Sequence, residues 1–384
     1  MDALMLPLNW QRVRLGTYKY RRGSFPQPYG NPQWYSDNGM PFVQVYDVGE
    51  NFKLTQKTKQ KISKIAQPMS VFVPKNSVII TLQGTIGRVA LTQYDCYCDR
   101  TILIFDNNTL NDVNKYFFVL SLFTKFEEEK RKADGSIIKT ITKQTLKDFE
   151  IFLPPLNEQI AIANVLSDLD HYLYTLDALI LKKKSVKKAL SFELLSQRKR
   201  LKGFNQNWQR VRLGDICEIV KGQQINKISL NNTDKYPVIN GGIDFLGYTN
   251  KFNVSKNTIA ISEGGTCGYV RFMTSNFWSG GHNYSLQKIS NKVNSLCLYH
   301  ILKSYEKDIM KLGVGSGLKN IQLKALKDFE IPIPPLNEQI AIANILSDVD
   351  HEIASLKNKK RQFENIKKAL NHDLMSAKIR VLKK

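Results

Sequence analysis

Eleven residues, Pro154 to Asn164 (PPLNEQIAIAN), recur letter for letter as Pro334 to Asn344. At this offset of 180, 22 of the 26 positions in Leu146–His171 match those in Leu326–His351. An internal repeat constrains the fold before any local signal does, because both copies must close on the same design. A second stretch, Asn9 to Gly16 (NWQRVRLG), recurs as Asn207 to Gly214 at an offset of 198. The segment between the two stretches is therefore 18 residues longer in the first copy. Each copy has a fixed start, a variable middle and a fixed end.

The fixed end predicts a long helix. Pro154-Pro155 stops the preceding strand, Asn157 is placed to cap and Glu158 suits the positive end of the dipole. Ile162, Leu166, Leu169, Leu173, Leu176 and Ile180 follow at spacings of 4, 3, 4, 3, 4, and the seam continues through Lys183 and Lys187 to Leu190 and Leu194. The second copy gives Ile342, Leu346, Val349, Ile353, Leu356, Lys360, Phe363, Lys367, Leu370 and Leu374. Such a heptad seam seeks a partner helix. Two of them in one chain pair most simply with each other. Chain order makes the pair antiparallel, since the first helix leads away to the second domain and the second must return. The resulting expectation is an α+β chain with pseudo-two-fold symmetry: two strand-rich domains, 1–152 and 204–332, joined by helices within 153–203 and 333–384.

The middles read as mixed and rich in strands. Val71–Val73, Ser77–Leu82 and Thr101–Phe105 are short β-branched and aromatic runs, matched later by Tyr236–Asn240, Thr258–Ser262 and Tyr269–Met273. A helix is expected near Asn114–Lys130 and near Ser295–Lys311. Both middles keep Gly-Thr-x-Gly, at Gly84–Gly87 and Gly265–Gly268, and Gly-Ser-x-x-Lys, at Gly135–Lys139 and Gly315–Lys319. Elsewhere they differ widely, which suggests one fold with two surfaces.

Catalytic motifs are missing. There is no Gly-rich phosphate loop ending in Gly-Lys-Ser/Thr, no His-Glu-x-x-His and no Asn-Pro-Pro-aromatic of an adenine methyltransferase. Glu128-Glu129-Lys130 has nuclease-like spacing, but the second copy lacks it, and such tripeptides are common in charged helices. His171 and His351 are equivalent positions and suggest packing or a partner contact. Five cysteines without paired spacing fit a reducing cytoplasm rather than a zinc site. No run of eighteen apolar residues suggests a membrane span, and Met1–Pro7 lacks the basic leader of a signal peptide.

The balance of 56 Lys and Arg against 34 Asp and Glu gives a net charge of +22, which makes a polyanion the leading partner. Nine of the cations lie in Lys182–Lys202, read either as a solvated face or as a DNA-facing stripe. Loop residues suited to reading DNA are Arg22, Gln83, Thr85, Arg88 and Lys139 in the first copy. In the second they are Lys221, Glu263, Thr266, Tyr269, Arg271 and Lys319. Specific reading takes side chains to base edges and uses phosphate contacts for position.

The order Trp-Gln-x-Val-x-Leu-Gly, variable domain, Pro-Pro-Leu-x-Glu-Gln-x-x-Ile-Ala and long helix, all repeated once, resembles the specificity subunit of a type I restriction–modification enzyme over essentially the whole chain. The resemblance implies a non-catalytic DNA-binding subunit with two target recognition domains, each reading half of a bipartite asymmetric sequence. It implies a gap set by the helices. Two modification subunits would use S-adenosylmethionine, and two restriction subunits would use ATP and Mg²⁺. The repeated joint, Pro154, Pro155, Glu158 and Gln159 with Pro334, Pro335, Glu338 and Gln339, is the expected docking place for two identical partners. Competing readings are an orphan or decoy subunit, a coiled-coil scaffold unconnected with DNA, and a free-standing nuclease acting through Glu128–Lys130.

Overall fold

The structure is a computed structural model that describes residue 7 and residues 9–132 and 143–382. Its helices are α1 (Lys115–Lys132), α2 (Lys143–Asp148), α3 (Leu156–Leu195), α4 (Leu213–Ile216), α5 (Ser295–Ser304), α6 (Glu306–Lys311), α7 (Leu323–Lys327) and α8 (Leu336–Met375). The chain divides into two compact units. The first comprises Met1–Thr175 with Lys360–Lys384, and the second Leu176–Lys359. Each of the two 40-residue helices, α3 and α8, belongs partly to one unit and partly to the other.

The fixed start and fixed end of each copy are partners. Gln11–Arg14 pairs antiparallel with Glu150–Leu153, and Gln209–Arg212 pairs with Glu330–Ile333 in the same register. The variable middle is thus an insertion closed at its base by two invariant strands. This explains why both stretches are kept while the residues between them change.

In the first unit a four-stranded antiparallel sheet has the order Tyr20–Arg22, Ile102–Phe105, Val78–Thr81, Val89–Leu91. The second unit repeats it with Glu218–Lys221, Asn283–Gln287, Thr258–Ser262 and Val270–Met273. Successive side chains of a strand alternate faces, and here both faces are covered. Val78 and Ile80 join the core built on α1 and the start of α3, while Ile79 joins a second core on the other side. Ile259 and Ile261 likewise face one core and Ala260 the other. Each unit has a second sheet, with four strands in the first (Gln60–Ile62, Tyr35–Val43, Cys96–Cys98, Val71–Val73) and three in the second (Gly247–Thr249, Tyr236–Ile239, Trp278–Ser279). The 18 extra residues lie between Gly23 and Gly84, where three strands of the first unit's second sheet are built.

Two local expectations are corrected. The helix expected over Ser295–Lys311 is two helices, because Tyr305 leaves helical geometry at φ −91°, ψ 8° and serves as the end of one and the start of the next. The long helix α3 begins at Leu156, not after Asn157. The Pro155 carbonyl accepts the first intrahelical bond, from the Gln159 N–H at 3.0 Å, so Pro155 holds the capping position.

The seam is buried where the heptads put it. Ile162, Leu166, Leu176, Ile180 and Leu194 are buried on α3, and Ile342, Leu346, Ile353 and Leu374 on α8. Within each unit the helices run antiparallel. In the first, Lys367 pairs with Asp170 and Tyr172 packs on Phe363 with ring centroids 4.6 Å apart. In the second, Lys187 meets Asp350 at 2.6 Å and Lys183 pairs with Glu352. Lys187 and Lys367 occupy equivalent repeat positions, as do Asp350 and Asp170, so one ion pair is made twice.

Candidate nucleic-acid interface

The antiparallel order of the main sheet brings three connections to the same end. In the second unit Lys221 ends its strand, Ser262 ends the next, and Asn283 and Val270 begin the other two. The turns at 222–224, 263–269 and 280–282 therefore adjoin. In the first unit Arg22, Thr81, Ile102 and Val89 occupy the same places. The described residues that the sequence singled out thus gather toward one end of one sheet in each unit, with Arg22 and Lys221 at matching strand ends.

The Gly-Thr-x-Gly turns have the same backbone in both units. Gly84, Gly87, Gly265 and Gly268 all have φ between +68° and +84°, a region that glycine enters without a Cβ penalty. The second glycine also fits beneath a helix. A Cβ at Gly87 would lie 3.1 Å from the Phe126 ring, and one at Gly268 would lie 2.8 Å from the Met310 backbone. Seating the turn on the helix is thus a sufficient reason for the motif.

The side chains on these turns differ. In the second unit Glu263 is buried and accepts from Lys221 Nζ at 2.6 Å and Tyr284 Oη at 3.1 Å. His282 Nδ1 lies 3.7 Å away. Burial first, and then the Glu263 carboxylate, raise the Tyr284 hydroxyl to about 12, so it stays a donor. Glu263 thus holds Lys221 and Tyr284 in place. Arg271 lies against both the Phe245 and Tyr269 rings, each centroid at 5.3 Å, and donates to the Gly242 and Ile243 carbonyls. Lys303 stands 4.1 Å from the Tyr269 centroid. These groups line an open depression of about 390 Å³. Thr266 is half-buried, its N–H bonded to the Gly241 carbonyl at 2.8 Å, and Lys319 is exposed.

In the first unit Arg22, Gln83 and Thr85 are exposed. Arg88 is folded back, donating to the Val48 carbonyl at 3.1 Å and to Glu50 at 2.8 Å. Lys139 lies outside the described residues. Sequence reasoning missed His282, Phe245 and Lys303. Phe245 and Lys303 are distant in sequence from the motif they complete, and no spacing announces them.

The repeated joint is the second feature. Glu158, Gln159, Glu338 and Gln339 are buried and fully engaged within their own units. Gln159 accepts from the Asn114 N–H at 3.0 Å and donates to the Pro154 carbonyl at 2.8 Å. Gln339 does the same with Asn294 at 2.7 Å and Pro334 at 2.8 Å. Asn114 and Asn294 cap α1 and α5, so Gln159 ties α3 to α1 and Gln339 ties α8 to α5. Glu158 takes a two-pronged bond from Arg380, at 2.5 and 2.7 Å, and Glu338 takes the same from Arg200, at 2.8 and 2.7 Å. Each arginine follows the far end of the opposite long helix. These four side chains are internal pins. Three of the nine cations of Lys182–Lys202, namely Lys183, Lys187 and Arg200, are likewise spent on Glu352, Asp350 and Glu338.

Beside the exposed Asn157 and Asn337, the joint exposes a repeated apolar pair. Leu156 and Ile160 are 44% and 41% exposed, and their equivalents Leu336 and Ile340 are 40% and 41% exposed. Each pair is one turn apart on one helix face. Pro155 is exposed and Pro335 half-buried, whereas Pro154 and Pro334 are buried. His171 and His351 are exposed and so do not serve packing.

Glu128 and Glu129 both approach Lys125, at 3.5 and 2.7 Å, and Lys130 pairs with Glu127 at 2.7 Å. These are ordinary same-helix pairs. Among the described residues no group of three or more His, Cys, Asp or Glu is placed to hold a metal ion. Among the described residues no helix is long and apolar enough to cross a membrane.

Comparison with known proteins adds the following. The family model described as "Type I restriction modification DNA specificity domain" matches residues 28–183 and 205–365. The MjaX type I restriction enzyme specificity subunit of Methanocaldococcus jannaschii is 31% identical over 290 residues, 69% of this chain and 68% of that protein. A type I specificity subunit of Mycoplasma pneumoniae is 39% identical over 154 residues, 40% of this chain, and the match spans only 41% of that relative's length. The crystal structure of a type I restriction–modification S subunit from M. genitalium has the same fold, with a TM-score of 0.69, 21% identity, and coverage of 96% of this chain and 98% of that one.

Proposed function

The chain belongs to the type I restriction–modification DNA specificity family, and from that premise we propose that it is the non-catalytic subunit reading a bipartite, asymmetric DNA sequence. Its two sheet-end loop clusters each read one half-site. The observation that supports this most is their combination of like frames and unlike side chains. The same strand ends and the same glycine turns carry Arg22, Gln83 and Thr85 in one unit. In the other they carry Lys221, Arg271 and Tyr269, backed by Glu263 and Tyr284. Two different readers on one frame read two different sequences.

The joints recruit the partners. A modification subunit docks at each, on the exposed pairs Leu156/Ile160 and Leu336/Ile340, because an identical apolar face suits an identical partner. S-adenosylmethionine is then held by the modification subunits, and ATP and Mg²⁺ by restriction subunits. The complex acts in the cytoplasm. The heptad helices set the unspecified gap between half-sites.

Single-molecule methylation sequencing of cells expressing this chain with its modification subunit tests the reading. The expected result is one motif with two unlike halves and a fixed gap. A palindromic motif, or methylation independent of this chain, refutes it. Leu156→Asp with Leu336→Asp is expected to abolish co-purification of the modification subunit while leaving retention on heparin unchanged.

A further inference from the structure

We propose that Leu318 is an apolar wedge that enters a base step of the second half-site, so that this half is read partly through the ease of unstacking its DNA. The inference deepens the DNA-reading function above and rests on it. Gly313–Val314 and Asn320–Ile321 form a two-stranded hairpin. Its loop presents Leu318 at 81% exposure, followed at once by the exposed Lys319. Single exposed leucines are common on protein surfaces, so exposure alone decides nothing. The mounting does.

The hairpin is fixed to the sheet end that carries the reading loops. The Ile321 N–H donates to the Glu263 carbonyl at 2.9 Å, and the Tyr284 hydroxyl, whose one proton is shared with the Glu263 carboxylate, reaches the Ile321 carbonyl at 3.0 Å. Ile321 itself is buried. Asn320 lies against Gly264, where a Cβ would come within 2.2 Å of its Oδ1. Gly313 lies against Cys267 with equally little room, its Cβ position 2.6 Å from Sγ. Gly315, at φ +134°, folds the loop back on the Leu318 carbonyl. A leucine held out on a braced hairpin does not collapse onto its own domain.

Its surroundings select the occupant. Lys221, Lys319 and His282 lie about the same turns, and the chain as a whole carries +22. An apolar side chain followed by Lys319, on a hairpin fixed beside the turn that holds Lys221, suits a duplex, whose phosphates bind the lysines and whose base step takes the apolar group. Proteins that kink DNA use Leu, Ile, Phe or Met in this way. The first copy keeps an aliphatic residue, Ile138, before the lysine of its own Gly-Ser-x-x-Lys sequence.

The test is enrichment of binding sequences from a randomised duplex library by the full chain with its modification subunit, comparing wild type with Leu318→Ala. The enriched duplex is then labelled with 2-aminopurine at each step of both half-sites. Wild type is expected to raise the fluorescence at one step of one half-site. Leu318→Ala is expected to lose that signal, to lose sequence preference at that step alone, and to bind about tenfold more weakly, the scale of one mismatched base pair. Identical enrichment and fluorescence for both proteins overturns the wedge and leaves the DNA reading standing. Unchanged DNA binding with lost modification-subunit binding overturns it in favour of a protein contact. No motif enriched even by wild type overturns the DNA reading, and the wedge with it.

Discussion

Replacing Arg200 by methionine strips Glu338 of its charged partner. The Glu338 side chain is 1% exposed and accepts from Arg200 at 2.8 and 2.7 Å and from Trp208 Nε1 at 3.1 Å. Without Arg200 a buried carboxylate keeps only the indole bond. Breaking a buried pair by removing one partner costs about 3–5 kcal/mol, most of it the penalty of the charge left behind. With a urea slope of about 2–3 kcal/mol per molar, the midpoint for the second unit falls by about 1–2 M. The two units need not unfold together, so pulsed hydrogen exchange with mass spectrometry, which follows peptides from each separately, is the suitable assay. The double variant Arg200→Met/Glu338→Leu replaces both charges with apolar groups and is expected to recover most of the loss. In the first unit, Arg380→Met is expected to lower the midpoint of that unit alone, because Arg380 pairs there with Glu158. If Arg200→Met and the double variant unfold at the same urea concentration, the pinned-carboxylate account is wrong.

Three further outcomes follow from single features. Burial, reinforced by Lys187, depresses His300 to about 4, so the native chain keeps it neutral. Its stabilising effect is therefore complete above about pH 6.5 and is lost as pH falls toward 4, because the unfolded chain takes up the proton first. Between pH 7.5 and 5 the wild type is expected to lose about 2 kcal/mol more than His300→Leu, measured by urea unfolding of the second unit. Gly268→Ala forces a Cβ into Met310 at a φ of +84° and is expected to cost at least about 2 kcal/mol; an unchanged urea midpoint would show that the turn is not bound to its helix. Deleting one heptad from α3 and the matching heptad from α8 removes about 10 Å of each helix. The recognised gap is expected to shorten by about three base pairs with both half-sites unchanged, read by methylation sequencing; an unchanged gap removes the ruler.

The sequence alone determined the repeat, the heptad seam and its antiparallel sense, and the glycine turns. These are local or periodic, and a spacing of 3.5 residues or a twice-written motif needs no tertiary context to be read. It also named residues that the fold places together at one sheet end, because the motifs flanking a strand stay at the strand's end. Tertiary structure alone decided the roles of the glutamates. Glu158 reads as a helix-starting acid open to a partner, yet its bond is to Arg380, 222 residues away. The one trace in the sequence was that Arg200 and Arg380 persist at the offset of 180 while residues between Gln197 and Lys202 change around them. Only folding shows that the two invariant strands close each domain onto itself. Only folding shows that Leu156 and Ile160 are left exposed beside a buried Glu158, since which face of a helix is covered depends on what packs there and not on the helix.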